Sequence, residues 1–224
     1  MPFWQINTID LHLYVKNCKL LILLILAAAV IAGCHTGGSK EQPPSCPHLP
    51  YGMMAEGDLA FRCGHGVFSS AVTAAGSDGI YSHIGLLVND GGTWKVVHAV
   101  PRERESAGDF DRVKAEPVET YFRSDRACSG ALVHTGLSDA ARIATMKSTA
   151  LQYARDSVPF DHDFSLADST RLYCTELVWR LYLTAGTDLS EGRRRKIHLF
   201  SINGDCLMPE HLYDYKDNET YYQF

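Results

Sequence analysis

The sequence predicts an α+β domain in which a small antiparallel sheet is packed by at least two helices, and three observations carry that expectation. The apolar run Ile84 to Val88 is followed by Asn89-Asp90-Gly91-Gly92 and then by the Val-rich Trp94 to Val100, which is the pattern of a β-hairpin. Ser138 to Ala154 repeats apolar residues (Ile143, Met146, Ala150, Leu151) at helical spacing. Leu172 to Thr184 (LYCTELVWRLYLT) reads as a second amphipathic helix, closed by Gly186. Helices segregated from strands that neighbour one another in sequence are the mark of α+β architecture.

Taken from the N-terminus, the first feature is Leu20 to Ala32 (LLILLILAAAVIA), preceded by Lys16 and Lys19. This run is shorter than the roughly twenty apolar residues that cross a bilayer as a helix, and it suits the core of a secretory signal peptide. Its end, Ile31-Ala32-Gly33-Cys34, resembles the bacterial lipobox. That resemblance implies cleavage before Cys34, lipidation of Cys34, and a membrane-anchored lipoprotein of the cell envelope that faces away from the cytoplasm, in the periplasm or at the outer membrane. Two or three acyl chains on one N-terminus anchor stably where a single chain does not. Residues 1–33 are then the signal peptide. Residues 34–50 (CHTGGSKEQPPSCPHLP) are a lipid anchor and flexible tether rich in Gly, Pro and Ser, and 51–224 are the folded domain.

Within the domain, Gly57-Asp58 turns into a strand at Leu59-Ala60-Phe61, and Phe68 to Ala75 forms a short helix ended by Gly76. The hairpin follows, with His83 before its first strand and His98 near the end of its second, so both imidazoles fall at one end of the sheet. Ala131 to His134 is a further strand, and Ser138 caps the first long helix. Pro159 stops that helix, and the acidic, aromatic loop Phe160 to Asp168 leads to the second. Arg193 to Lys196, the only basic run, reads as a solvated loop. A net charge of −5 gives no basic face for phosphates, which argues against a nucleic-acid partner.

Cysteine usage narrows the chemistry. Beyond Cys18 in the leader and Cys34, the domain and tether carry Cys46, Cys63, Cys128, Cys174 and Cys206, an odd number that leaves one thiol unpaired if the others join in disulfides of any pairing. Cys174 lies in the first turn of the second helix, where the positive end of the helix favours a thiolate and free N–H groups can hold an oxyanion. It requires a base, and the base requires an orienting group. His83 and His98 supply that pair, with Asp161 and Asp163 as alternative orienters. Cys63, in Arg62-Cys63-Gly64-His65-Gly66, is a rival nucleophile without a helix start beside it, and no spacing matches a zinc pattern. Glu176 falls on another face of the Cys174 helix and reads as structural.

The strings Ser82-His83-Ile84-Gly85-Leu86-Leu87-Val88 and Val96-Val97-His98-Ala99, with Tyr173-Cys174-Thr175-Glu176-Leu177-Val178, resemble the histidine strands and nucleophile helix of NlpC-type cell-wall peptidases and lecithin retinol acyltransferase-like proteins. Here the cysteine follows the histidines in the chain. That order, with Gly57-Asp58 ahead of the sheet, is similar to the permuted papain-like amidases of the YiiX type, many of which place a carboxylate where this chain has His98. The resemblance covers most of residues 51–215. It implies a circularly permuted papain-like (NlpC-like) fold, with Cys174 as nucleophile, His83 as general base and acid, and His98 as third polar residue. The implied reaction is cofactor-free hydrolysis of an amide through an acyl-enzyme. Its substrate is then a peptidoglycan peptide, with an acyl-amide or lipid substrate, as for a lipid acyltransferase or phospholipase, or a non-catalytic binding lipoprotein, as the alternatives.

Overall fold

The computed structural model describes residues 43–76, 79–199 and 202–224. The leader, the lipidation cysteine Cys34 and most of the tether lie outside them. From Pro44 to Phe224 the chain packs as one unit. The Ser45 amide donates to Ser124 Oγ at 3.0 Å, and Leu49 is buried beside Met54. The packed unit therefore begins at Pro44 rather than at Tyr51, because these residues have apolar surface to cover.

Six strands form one antiparallel sheet: β1 (Leu59–Cys63), β2 (His83–Asp90), β3 (Thr93–Val100), β4 (Arg112–Pro117), β5 (Ser129–His134) and β8 (Glu219–Gln223), in the order β4-β3-β2-β1-β5-β8. A separate hairpin joins β6 (Arg195–Leu199) to β7 (Ile202–Cys206). The helices are α1 (Val67–Ala75), α2 (Val118–Tyr121), α3 (Ala140–Arg155), α4 (Cys174–Thr184) and α5 (Pro209–Tyr213). Alternation along the strands sorts side chains onto two faces. Leu86, Val97, Val113 and Val133 pack under α3 and α4 against Met146, Leu177, Val178 and Leu181. Ala60, Leu87, Val96 and Leu132 turn the other way, onto Val118, Tyr121 and Phe122 around α2. Each large apolar side chain buried in this way contributes roughly 1.5–3 kcal/mol.

Strands β1, β2, β3 and β5 and helices α1, α3 and α4 form where the residue pattern places them. The sequence reading left out β4, β6, β7, β8, α2 and α5. Asp139, not Ser138, caps α3, accepting the Ala141 and Arg142 amides at 3.0 and 3.1 Å. Helix α4 starts at Cys174 rather than Leu172, because Leu172 is tied in extended form to the 159–161 segment: its N–H donates to Pro159 O at 3.0 Å and its O accepts from the Asp161 amide at 3.2 Å. The basic run is not a solvated loop either. Arg193 donates to Asp214 O, Arg194 lies over the Trp179 ring and Arg195 donates to Ala75 O, so the run ties β6 to its neighbours.

Candidate active site

Cys174 is the first residue of α4, so the amides of Cys174 and Thr175 have no carbonyl one turn back to bond. They turn toward the thiol instead, as does the amide of Ile84. The Ile84 contact follows from the sheet: β2 pairs with β1 as far as His83 but with β3 only from Leu86 onward, so the Ile84 N–H is released where β2 and β3 part. The Thr175 hydroxyl lies 3.7 Å from Sγ. Burial pushes the Cys174 thiol above its ordinary pKa, and these donors offset only part of that. The sequence reading gave Cys174 a helix start that favours thiolate; in the structure the helix start is there, but desolvation outweighs it. Cys174 is not in a disulfide, and nor is any other described cysteine.

His83 and His98 are in direct contact, His83 Nε2 standing 2.8 Å from His98 Nδ1. Gly85 allows this approach, for a Cβ at that position would meet His98 Cβ at 3.0 Å. Beyond His98 lies a carboxylate: Glu116 Oε1 is 2.8 Å from His98 Nε2, and Glu116 Oε2 accepts from Arg126 at 2.5 Å. Arg126 also reaches Glu103 at 3.1 Å, and Glu103 pairs with the fully buried Arg62, whose guanidinium covers the Tyr121 ring at 4.4 Å. Tyr121 in turn packs edge-on to His98, with ring centroids 5.0 Å apart.

This chain of groups sets the protonation of His83. Burial alone would raise the Glu116 carboxyl, but His98 and Arg126 hold it down to about 2, so at neutral pH it is ionised and can only accept. His98 Nε2 therefore carries a proton toward Glu116. His83 Nε2 is thus engaged by His98 Nδ1, and in the tautomer where His83 donates across that 2.8 Å contact the lone pair is left on His83 Nδ1. Burial above all, and then the Arg62 charge, keep His83 well below the ordinary imidazole pKa, so His83 is a neutral imidazole with a lone pair at neutral pH. No hydrogen bond joins His83 to the Cys174 thiol among the described residues; both groups open onto one cavity.

The depressed Glu116 carboxyl carries a prediction about stability. Its pKa lies below the ordinary 4.5, so its contribution is complete above that pH and is lost as pH falls toward about 2. Thermal midpoints recorded down this pH range are expected to fall, and Glu116→Gln is expected to flatten part of the slope. An unchanged slope in that variant would show that the carboxylate does not stabilise the fold through His98 and Arg126.

The cavity has a volume of about 430 Å³ and takes Ser82, His83, Cys174 and Thr175 as one wall; Val72, Phe160, Phe164 and Met208 line it elsewhere. A second cavity of about 240 Å³ shares Ser82 and His83 with the first, and charged residues, Arg62, Arg102, Glu103, Asp125 and Arg126, are among those lining it. The alternative orienters stand apart from the imidazoles. Asp161 is buried but accepts the amides of Asp163 and Ser165, closing its own loop, and Asp163 is exposed and paired with Arg171 at 3.1 Å. The rival nucleophile Cys63 lies at the end of β1, where Cys128 Sγ donates to its carbonyl at 3.2 Å, and it lines neither cavity. Glu176 is fully buried, paired with Arg180 at 2.8 Å and pushed up by burial to about 7, as befits a residue holding the 161–168 loop against α4 through Arg180.

Sequence reasoning missed Glu116, together with Arg62, Glu103 and Arg126. The strand period was readable around Glu116, but not the burial of Glu116 itself. Arg112 to Glu116 alternates polar and apolar residues, which is the period of a half-buried strand.

Neither a family model nor a curated protein matches the sequence. Among solved structures the chain is similar to metalloprotein YiiX from Escherichia coli O157:H7, described as DUF1105. The TM-score is 0.60 and the identity 22%, over 75% of this chain and 97% of that one. The two share a fold: a mixed α+β unit with an antiparallel sheet packed against helices.

Proposed function

We propose that the chain is a cysteine hydrolase of the circularly permuted papain-like kind that cleaves an acyl–amide bond through an acyl-enzyme. The observation that carries this reading is the shared cavity, onto which a thiol at a helix start and an imidazole with a free lone pair both open. His83 Nδ1 takes the proton as Cys174 Sγ attacks the carbonyl carbon. The helix-start amides stabilise the oxyanion, and His83 then passes the proton to the departing amine. Water attacks the thioester with His83 as base, the acid leaves, and the thiol is restored. With a raised thiol pKa and a depressed imidazole pKa, the resting pair is neutral, and proton transfer accompanies attack rather than preceding it.

The similar protein is called a metalloprotein. Among the described residues no three His, Cys, Asp or Glu side chains gather as ligands, and the His98 nitrogens face His83 and Glu116 at 2.8 Å each. These residues do not fit a metal. The lipid anchor at Cys34 and a place in the cell envelope belong to the same proposal, on the strength of the leader residues alone. The apolar lining favours an acyl group over the polar peptide of a cell wall as the part of the substrate that enters the cavity.

The test is to trap the intermediate. Protein mixed with an activated acyl ester and quenched in acid is expected to gain the mass of one acyl group, located on the Cys174 peptide. An acyl group found on no cysteine, or on Cys63, would overturn the reading.

A further inference from the structure

We propose that the substrate is an amphiphile: an acyl chain seated in the apolar cavity, joined through the scissile amide to an anionic head group that Arg102 holds. The position of the cut bond rests on the hydrolase reading above; the substrate class rests on three observations of its own. The first is that the two cavities differ in character and meet at the candidate base. Val72, Phe160, Phe164 and Met208 line one, arginines and acids line the other, and Ser82, His83 and Arg102 line both. A ligand spanning them past His83 presents an apolar part to the first cavity and a charged part to the arginine-bearing second.

The second observation is the backbone of Arg102. Its φ of 65° lies in the left-handed region that disfavours a residue with a Cβ, and its N–H is pinned to Asp111 Oδ1 at 2.9 Å. Strained residues held in this way cluster where a side chain must be aimed. The third observation is charge. Around the second cavity, Arg62 and Arg126 are matched by Glu103 and Glu116, and Asp125 is matched by Arg123 at 2.6 Å. Arg102 is exposed, and its guanidinium has no partner among the described residues. An unmatched guanidinium fits a carboxylate or a phosphate in two-point contact. Hydrolysis then breaks the acyl–nitrogen bond, the acyl carbon takes the oxygen of water, and the head group leaves as an amine that still carries its anion.

Binding tests this without turnover. Cys174→Ala protein titrated calorimetrically with N-dodecanoylglycine is expected to bind it about tenfold more tightly than N-dodecanoylethanolamine, whose head is neutral. N-acetylglycine, which lacks the chain, is expected to bind too weakly to measure. Adding Arg102→Ala should abolish the tenfold preference and leave the neutral ligand's Kd unchanged, while Arg102→Lys retains part of it; Ala71→Trp should weaken both long-chain ligands. Dodecyl phosphate in place of the glycine conjugate distinguishes a phosphate head from a carboxylate one, and tighter binding of either supports the proposal. Equal affinity for charged and neutral heads, a preference that survives Arg102→Ala, or N-acetylglycine binding as well as the long-chain ligand would overturn it. The two proposals fail separately. If Cys174→Ala protein binds as expected but the wild type never cleaves N-dodecanoylglycine, hydrolysis is wrong and the binding site stands. If no long-chain ligand binds but an activated short ester still acylates Cys174, the substrate class is wrong and hydrolysis stands.

Discussion

Cys174→Ala is expected to lower kcat on a cleavable acyl amide by a thousandfold or more, the scale on which removal of a nucleophile acts in enzymes of this chemistry. The cause is specific to the sulfur: alanine keeps the helix start and its amides but leaves nothing to form the thioester. His83→Ala should fall nearly as far, since a thiol with a raised pKa has no other route to lose its proton. His98→Ala should cost less, because it disturbs the tautomer and aim of His83 without removing the base. Cys63→Ala should change little. Turnover by purified variants of matched thermal stability gives the readout, and a Cys174→Ala protein keeping more than about a tenth of the wild-type rate would end the nucleophile assignment.

The second large effect is on folding. Arg62 is only 2% exposed, donates to Tyr121 O at 2.8 Å, pairs with Glu103 and covers the Tyr121 ring. Removing Arg62 takes away its hydrogen bond to Tyr121 O, its packing over the Tyr121 ring and one of the two cations on Glu103, at a combined cost of about 3 kcal/mol. Arg62→Ala is therefore expected to lower the denaturant midpoint steeply at constant slope. Glu103→Gln combined with it should cost less than the sum, because the two side chains bond each other and either substitution alone already breaks that pair. Additive losses would mean that the pair does not act as a unit. Tyr121 touches both imidazoles, so loosening Arg62 should also impair catalysis in whatever protein remains folded.

Apolar periodicity carried the elements that build the site. The Ile84–Val88 and Trp94–Val100 hairpin and the two long helices announce themselves because each buries one continuous stripe, and His83, His98 and Cys174 could be singled out on them. Strand β4 stayed hidden because its buried face is charged: Lys114 and Glu116 are as inaccessible as valines, yet by composition they read as surface. Nothing local says that Lys114 meets Asp109 at 2.7 Å or that Glu116 meets His98; such pairings exist only once β3 and β4 lie side by side. The depth of Cys174 was equally invisible. Helix position favours its anion and burial disfavours it, and only the packed structure sets one against the other. Strand β8 and hairpin β6–β7 lack a long apolar run, and their existence depends on the strands and loops they cover.

Strand order also bears on when the molecule becomes reactive. Four strands, β1 to β4, form a meander of neighbours in sequence and can pair as soon as they are synthesised, whereas β5, β8 and the helix bearing the sulfur must close long loops. The histidines and Glu116 thus belong to the early, local half of folding and Cys174 to the late, distant half. A nascent or partly threaded chain holds a base without a nucleophile, so its chemistry is withheld until the last third of the polypeptide has arrived and docked.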